Sequence, residues 1–170
     1  MALGSGRMRI HRHFAQGLAR NLLALGLLAG VGPLAAVDVP NRNSPVEERA
    51  MRDARAAIAA SQWTQAVALL EAHVRVYPED ADAFNLLGYS LRQSGQRAVS
   101  QAAYERALQI DPAHRGAHEY MGELMLTLGR RDRALFYLGE LERLCGTSCP
   151  EYLQLKRAVD GANAAPAKRW

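Results

Sequence analysis

Displaced by 34 residues, the central part of the chain falls on itself: Gly88 meets Gly122, Gly95 meets Gly129, and Pro78 meets Pro112. A period of this length marks a unit too small to bury its own core, which becomes stable only when copies stack. The stretch Ala83 to Pro112, "AFNLLGYSLRQSGQRAVSQAAYERALQIDP", shows what one unit holds. Phe84, Leu87, Gly88 and Leu91 recur at helical spacing and give one apolar stripe. Gly95 breaks the helix, a second periodic run follows through Val99, Ala103, Tyr104, Ala107 and Leu108, and Asp111-Pro112 ends it. Two helices per unit and no strand pattern predict an all-α fold.

The unit resembles a tetratricopeptide repeat, two antiparallel helices with small residues where helices cross. The resemblance divides the body into repeats at 47–80, 81–114 and 115–148 of a helix-turn-helix solenoid. Its packing positions fall on Ala54, Gly88 and Gly122 in the first helices and Ala66, Ser100 and Ala134 in the second. Small side chains there let helices approach, and Leu87, Leu91, Met121 and Met125 fill the layer around them. The middle copy fits best, with Ser100 as its main irregularity. The first diverges most, with Asp53 where Leu is usual and His73 where a small residue is usual. Counting on from Cys149, Tyr152, Leu155 and Val159 continue the apolar stripe, but Lys156 stands where a second helix would need a small residue. Residues 149–160 therefore read as a capping helix, with Ser148 or Cys149 as N-cap, and 161–170 as a disordered tail.

Charge divides the chain in two. Residues 1–36 carry Arg7, Arg9, Arg12 and Arg20 with no acid, and they account for the whole net charge of +4. The rest is balanced, so no basic face tracks a phosphate backbone and nucleic acid is not expected as a partner. The arginines precede the apolar run Asn21 to Ala36, in the layout of a secretory signal. Cleavage after Ala36 is expected, with an uncleaved membrane anchor as the alternative and Met8 as an alternative start. Residues 37–46 form a linker. An exported, periplasmic protein follows, or one held at the inner membrane and facing the periplasm. Few residues are aromatic (6%), so the core is built largely from Ala and Leu.

Cys145 and Cys149 are the two cysteines of the chain. They flank the turn between the last repeat helix and the cap, where Gly146 supplies a left-handed C-cap. Residues at the mouth of such a turn come within disulfide range, and export places them in an oxidising compartment. A disulfide pinning the cap is the favoured reading. Thiol redox activity is a weaker one, because the spacing is C-x-x-x-C rather than C-x-x-C. Metal binding with His114 and His118 is weaker still, since the two pairs belong to successive stacked units about 10 Å apart. No metal or other cofactor is expected.

Chemistry is sparse elsewhere. "HEYMGE", His118 to Glu123, begins like a zinc-protease helix but has Gly122 where a second His is needed. No phosphate-binding loop or nucleophile elbow occurs, so an enzyme is not expected. Trp63 reads as packing more than recognition. The resemblance implies instead a concave groove lined by the first helices, which places there Met51, Arg55, Ile58, Asn85, Tyr89, Arg92, Gln93, Glu119, Glu123 and Leu126. Members that clamp the acidic C-terminus of cytosolic chaperones use Lys, Asn and Arg where this chain has Met51, Arg55, Leu86, Gly116 and Tyr120, so that clamp is not built. The expected function is non-catalytic: an adaptor or scaffold holding a protein or peptide segment. A structural subunit of an envelope complex and a thiol-redox accessory are the alternatives, and membrane contact is expected only through an uncleaved leader.

Overall fold

Seven α-helices and no strand make up residues 45–164, the part of the chain described by this computed structural model. They are α1 (Pro45–Ala59), α2 (Trp63–Val76), α3 (Ala81–Gln93), α4 (Arg97–Ile110), α5 (Arg115–Thr127), α6 (Arg131–Cys145) and α7 (Pro150–Ala164). Helices pair as α1/α2, α3/α4 and α5/α6, and α7 packs on both α5 and α6. The expected all-α helical-repeat solenoid is what the chain forms. The leader, most of the linker and the end of the tail lie outside the described residues. None of the described helices is long and apolar enough to cross a membrane.

The turns inside the pairs are built three times over. Gln62, Gln96 and Arg130 each donate their N–H to a carbonyl five residues back, on Ala57, Leu91 and Met125, at 2.8–2.9 Å. That bond closes a helix with a residue of positive φ just before the donor. Gly95 (φ 86°) and Gly129 (φ 70°) fill that place without strain, and Ser61 (φ 55°) fills it in the first pair. Between pairs, side chains cap the next helix: Asp80 Oδ1 accepts from Ala83 N–H at 3.0 Å, and His114 Nδ1 accepts from Ala117 N–H at 3.1 Å.

Two helix boundaries differ from the sequence reading. α1 starts at Pro45, inside the stretch read as linker, because Pro is pre-set for a first helical position and Glu47 and Glu48 follow in the first turn. α7 runs to Ala164 rather than stopping at residue 160. A single Gly161, between Asp160 and Ala162, does not end a helix, and Lys156 pairs with Asp160 one turn on, at 2.6 Å.

The core has two parts. Met51, Ala54, Leu70, Ala83, Leu87, Leu91 and Ala103 pack together across the first two pairs. Tyr104, Met121, Leu124, Met125, Leu138, Leu141, Leu155 and Val159 join the later helices to the cap. Ala54, Ala66, Gly88, Ser100, Gly122 and Ala134 are all buried, as helix crossings require. A Cβ on Gly88 would meet the Tyr104 ring at 2.6 Å. A Cβ on Gly122 would instead meet the side chain of Leu155, from the cap. The difference is one of size: the place of Tyr104 is taken in the next pair by the shorter Leu138, and Leu155 uses the room.

Candidate functional site

The first helices of the second and third pairs, α3 and α5, meet through an aromatic row. Trp63, at the start of α2, stands edge-on to Tyr89 of α3 with ring centres 5.9 Å apart, and Tyr89 lies 5.1 Å from Tyr120 of α5. Tyr120 in turn lies 6.2 Å from the buried Tyr104 ring. The Arg92 guanidinium sits over both Tyr89 and Tyr120, 5.7 and 5.8 Å from their ring centres. It donates from Nη2 to Glu123 Oε2 at 2.7 Å. Trp63, Tyr89, Tyr120, Arg92 and Glu123 are all half-buried, so their outer faces remain available to a partner. Helical spacing explains the grouping. Tyr89 and Arg92 lie three apart on α3, as Tyr120 and Glu123 do on α5, and each pair shares one face.

The ten residues expected to line the groove separate into three groups. Arg55 and Gln93 are exposed. Ile58, Tyr89, Arg92, Glu123 and Leu126 are half-buried, Ile58 and Leu126 resting against the two cores. Met51, Asn85 and Glu119 are buried, at 6%, 6% and 5% exposure, and lie in the packing rather than on an open surface. Their shared place in the repeat is the reason. A side chain there runs toward the first helix of the following unit, and the Asn85 amide comes within 3.1 Å of where a Cβ on Gly116 would stand. Arg92 and Glu123 are bonded to each other, so neither is a free charge offered to a ligand.

Burial has a second consequence at Glu119. Desolvation, reinforced by Glu123 and Glu151, raises its carboxyl to about 7 against the opposing pull of Arg92 and Arg157. Lower down, Asp82 of α3 and His114 form a 3.1 Å pair. The bond from His114 holds the Asp82 carboxyl below its usual range, and the same bond lifts His114 despite the opposing effect of burial.

Cys145 and Cys149 are joined, Sγ to Sγ at 2.06 Å, across the α6–α7 turn. Gly146 has positive φ (76°) but an extended ψ of 179°, so it opens the turn rather than forming the expected left-handed helical cap. Cys149 accepts the Leu153 N–H through its carbonyl at 3.1 Å and so stands as the N-cap of α7. His114 and His118 serve the backbone: His114 caps α5, and His118 Nε2 donates to the Pro112 carbonyl at 2.9 Å.

The aromatic row was only partly foreseen. The sequence places Tyr89 in the groove and Trp63 in packing, and Tyr120 stands there only where a clamp residue is missing. The signal available was the recurrence of an aromatic side chain at places nine and six of successive repeats, which brings rings together only once the stacking register is known.

No protein-family model and no curated protein matches the chain. Solved structures do. The TPR2B domain of yeast Sti1, in its pHsp70 complex, is 18% identical with a TM-score of 0.64, over 71% of this chain and 98% of that one. The Yersinia enterocolitica type III secretion chaperone SycD, in complex with a peptide of the translocator YopD, is 19% identical with a TM-score of 0.62, over 70% and 90%. MamA is 16% identical with a TM-score of 0.60, over 69% and 68%. At these identities the likeness is one of fold, a tetratricopeptide-type helical array.

Proposed function

We propose that the chain is a non-catalytic protein-interaction module that holds a segment of a partner against the row Trp63–Tyr89–Tyr120. The observation that carries this reading is the half-exposed aromatic row itself, stiffened by Arg92 and its bond to Glu123. Aromatic side chains supply large contact area at small cost in conformational freedom, and they dominate binding hot spots. The structural neighbours support the class of partner, since the Sti1 domain is in a pHsp70 complex and SycD holds a peptide of the translocator YopD. The peptide chemistry differs from that of a chaperone-tail clamp. Met51 is buried, Gly116 has no side chain, and Tyr120 is occupied by Tyr89 and Arg92. Apolar or aromatic anchors suit this surface better than a pair of carboxylates.

The same proposal places the protein in the periplasm or at the outer face of the inner membrane. The arginine-led apolar run within residues 1–36 supports export, and a cysteine pair within bonding distance suits an oxidising compartment. A photo-crosslinking residue at Tyr89, introduced in cells, tests the binding reading: it captures a partner that the same probe at Val99, on α4, does not. Equal capture at both places, or none at Tyr89, removes it. The alternative, an assembly subunit of an envelope complex, is favoured by Leu135 and Phe136 of α6, which stand 42% and 51% exposed. In that case the Phe136 probe captures the partner and the Tyr89 probe does not.

A further inference from the structure

The exposed side of α6 departs from the matching helices at places that no packing within the chain explains. Phe136 stands 51% exposed where α2 and α4 have Ala68 and Ala102, and Gly139 stands where they have Glu71 and Glu105. Phe136 has Tyr137 edge-on at 5.2 Å and the Arg133 guanidinium 5.4 Å from its ring centre, both from its own helix. A Cβ on Gly139 would meet nothing within 4 Å. The bare backbone there serves no contact inside the chain, although glycine at an open mid-helix place weakens a helix relative to alanine.

Asp132, Phe136, Gly139 and Arg143 are all exposed and follow one another at intervals of four, three and four residues. On a helix those intervals keep them within about 60° of arc, the seam spacing by which two helices pack lengthwise. The order along the stripe is self-complementary. Turned end for end about the point between Tyr137 and Leu138, α6 puts Gly139 in the place of Phe136 and Arg143 in the place of Asp132. A twofold axis there sets each Phe136 against the other copy's Gly139, and each Asp132 against the other's Arg143. Asp132 has no ion pair among the described residues. Arg143 bonds Glu140 at 2.8 Å and still keeps 64% of its side chain exposed.

We infer that α6 is a dimer face, on which a second copy of the chain packs antiparallel with Phe136 of each copy seated on Gly139 of the other. Any apolar partner would cover Phe136. A large residue matched to a bare one, between ends of opposite charge, is what a copy of the same helix requires. Glycine at the crossing lets the two helix axes approach closely enough for the ring to pack on backbone. One helix pair buries less than a standard interface, so the association is weak and depends on concentration. The row Trp63–Tyr89–Tyr120 belongs to other helices, so the dimer does not rest on the binding reading.

The test is sedimentation velocity of the purified full chain from about 1 µM to about 1 mM, over which the mass is expected to rise toward that of two chains. Gly139→Gln fills the seat with a better helix former, so it should keep or raise the urea midpoint while weakening the dimer at least about tenfold. Asp132→Arg and Arg143→Asp should each weaken the dimer about tenfold, and the double exchange should restore it, as the antiparallel register demands. A single-chain mass at every concentration overturns the inference. So does association that Gly139→Gln leaves unchanged, or a double exchange no better than its parts. In cells, a photo-crosslinking residue at Phe136 should give a product of twice the chain's mass. Capture of a different protein there overturns the dimer and favours the assembly subunit.

Discussion

Ser100 Oγ donates a hydrogen bond to the backbone carbonyl of Gly88 at 2.8 Å, across the α3–α4 crossing where both residues are fully enclosed. The one irregular crossing residue of the best-fitting repeat is therefore satisfied within it. Gly88's carbonyl also belongs to its own helical ladder, so the bond is an addition rather than a necessity. Ser100→Ala, the residue type of Ala66 and Ala134, should lower stability by about 0.5–1.5 kcal/mol in urea denaturation.

The partner glycine is less forgiving. A Cβ on Gly88 would stand 2.6 Å from two atoms of the Tyr104 ring, which is fully buried and cannot swing away. Alanine gains about 1 kcal/mol of helix propensity, but overpacking costs about 1–3. Gly88→Ala should therefore be destabilising by up to about 2 kcal/mol. In a double-mutant cycle, the same change made on a Tyr104→Leu background should lose that cost, because the shorter Leu138 in the matching place of the next repeat is not among the nearest atoms that a Cβ on Gly122 would meet.

Ser61 carries a strain that Gly95 and Gly129 do not, in the same turn with the same closing bond. Ser61→Gly should raise the urea midpoint, with a gain of about 0.5–1 kcal/mol after the extra flexibility of glycine in the unfolded chain is counted. A lower midpoint would mean that the serine makes contacts worth more than its backbone strain.

Glu119 makes stability depend on pH. Its pKa rises on folding from 4.5 to about 7, so between those values the folded chain holds a proton that the unfolded chain has lost. Stability from this group falls as pH climbs through that window, with no cost below it and the full cost above. Glu119→Gln should leave the urea midpoint unchanged at low pH and raise stability by about 1–3 kcal/mol above neutrality. Equal effects at both ends would show that the gain comes from packing and not from titration.

The Cys145–Cys149 link closes too small a loop to restrain the unfolded chain much, on the order of 1–2 kcal/mol. Its effect should be local. Cys149→Ser, or reduction, should speed hydrogen exchange along α7 while leaving the amides of α3 and α4 protected as before.

Helices and their order were legible in the sequence because apolar spacing and the Gly and Pro breaks are local signals. Most of the site was not. Asn85 and Glu119 have the polarity of surface residues, and their places look outward when a single helix is considered. Only the next helix in the stack buries them. Arg92 and Glu123 stand 31 residues apart, so their bond depends on the lateral register of α3 on α5. His73 is the odd residue of its repeat, and its neighbours Asp80 and Glu47 come from the α2–α3 turn and from α1, which no local pattern announces.

The meeting of Leu155 with Gly122 has a consequence for chain length. α7 occupies the seat that the opening helix of another repeat would take, and then presents Lys156 where a further partner would have to come close. It is a stopper, detachable in principle from what precedes it. A whole extra copy of residues 115–148 spliced between α6 and α7 would again offer a glycine at that seat, with Leu138 short enough to leave it to Leu155. Such a chain could grow by one unit and still finish with the same plug, so the size of the molecule is set by how many copies are encoded and not by the architecture of its end.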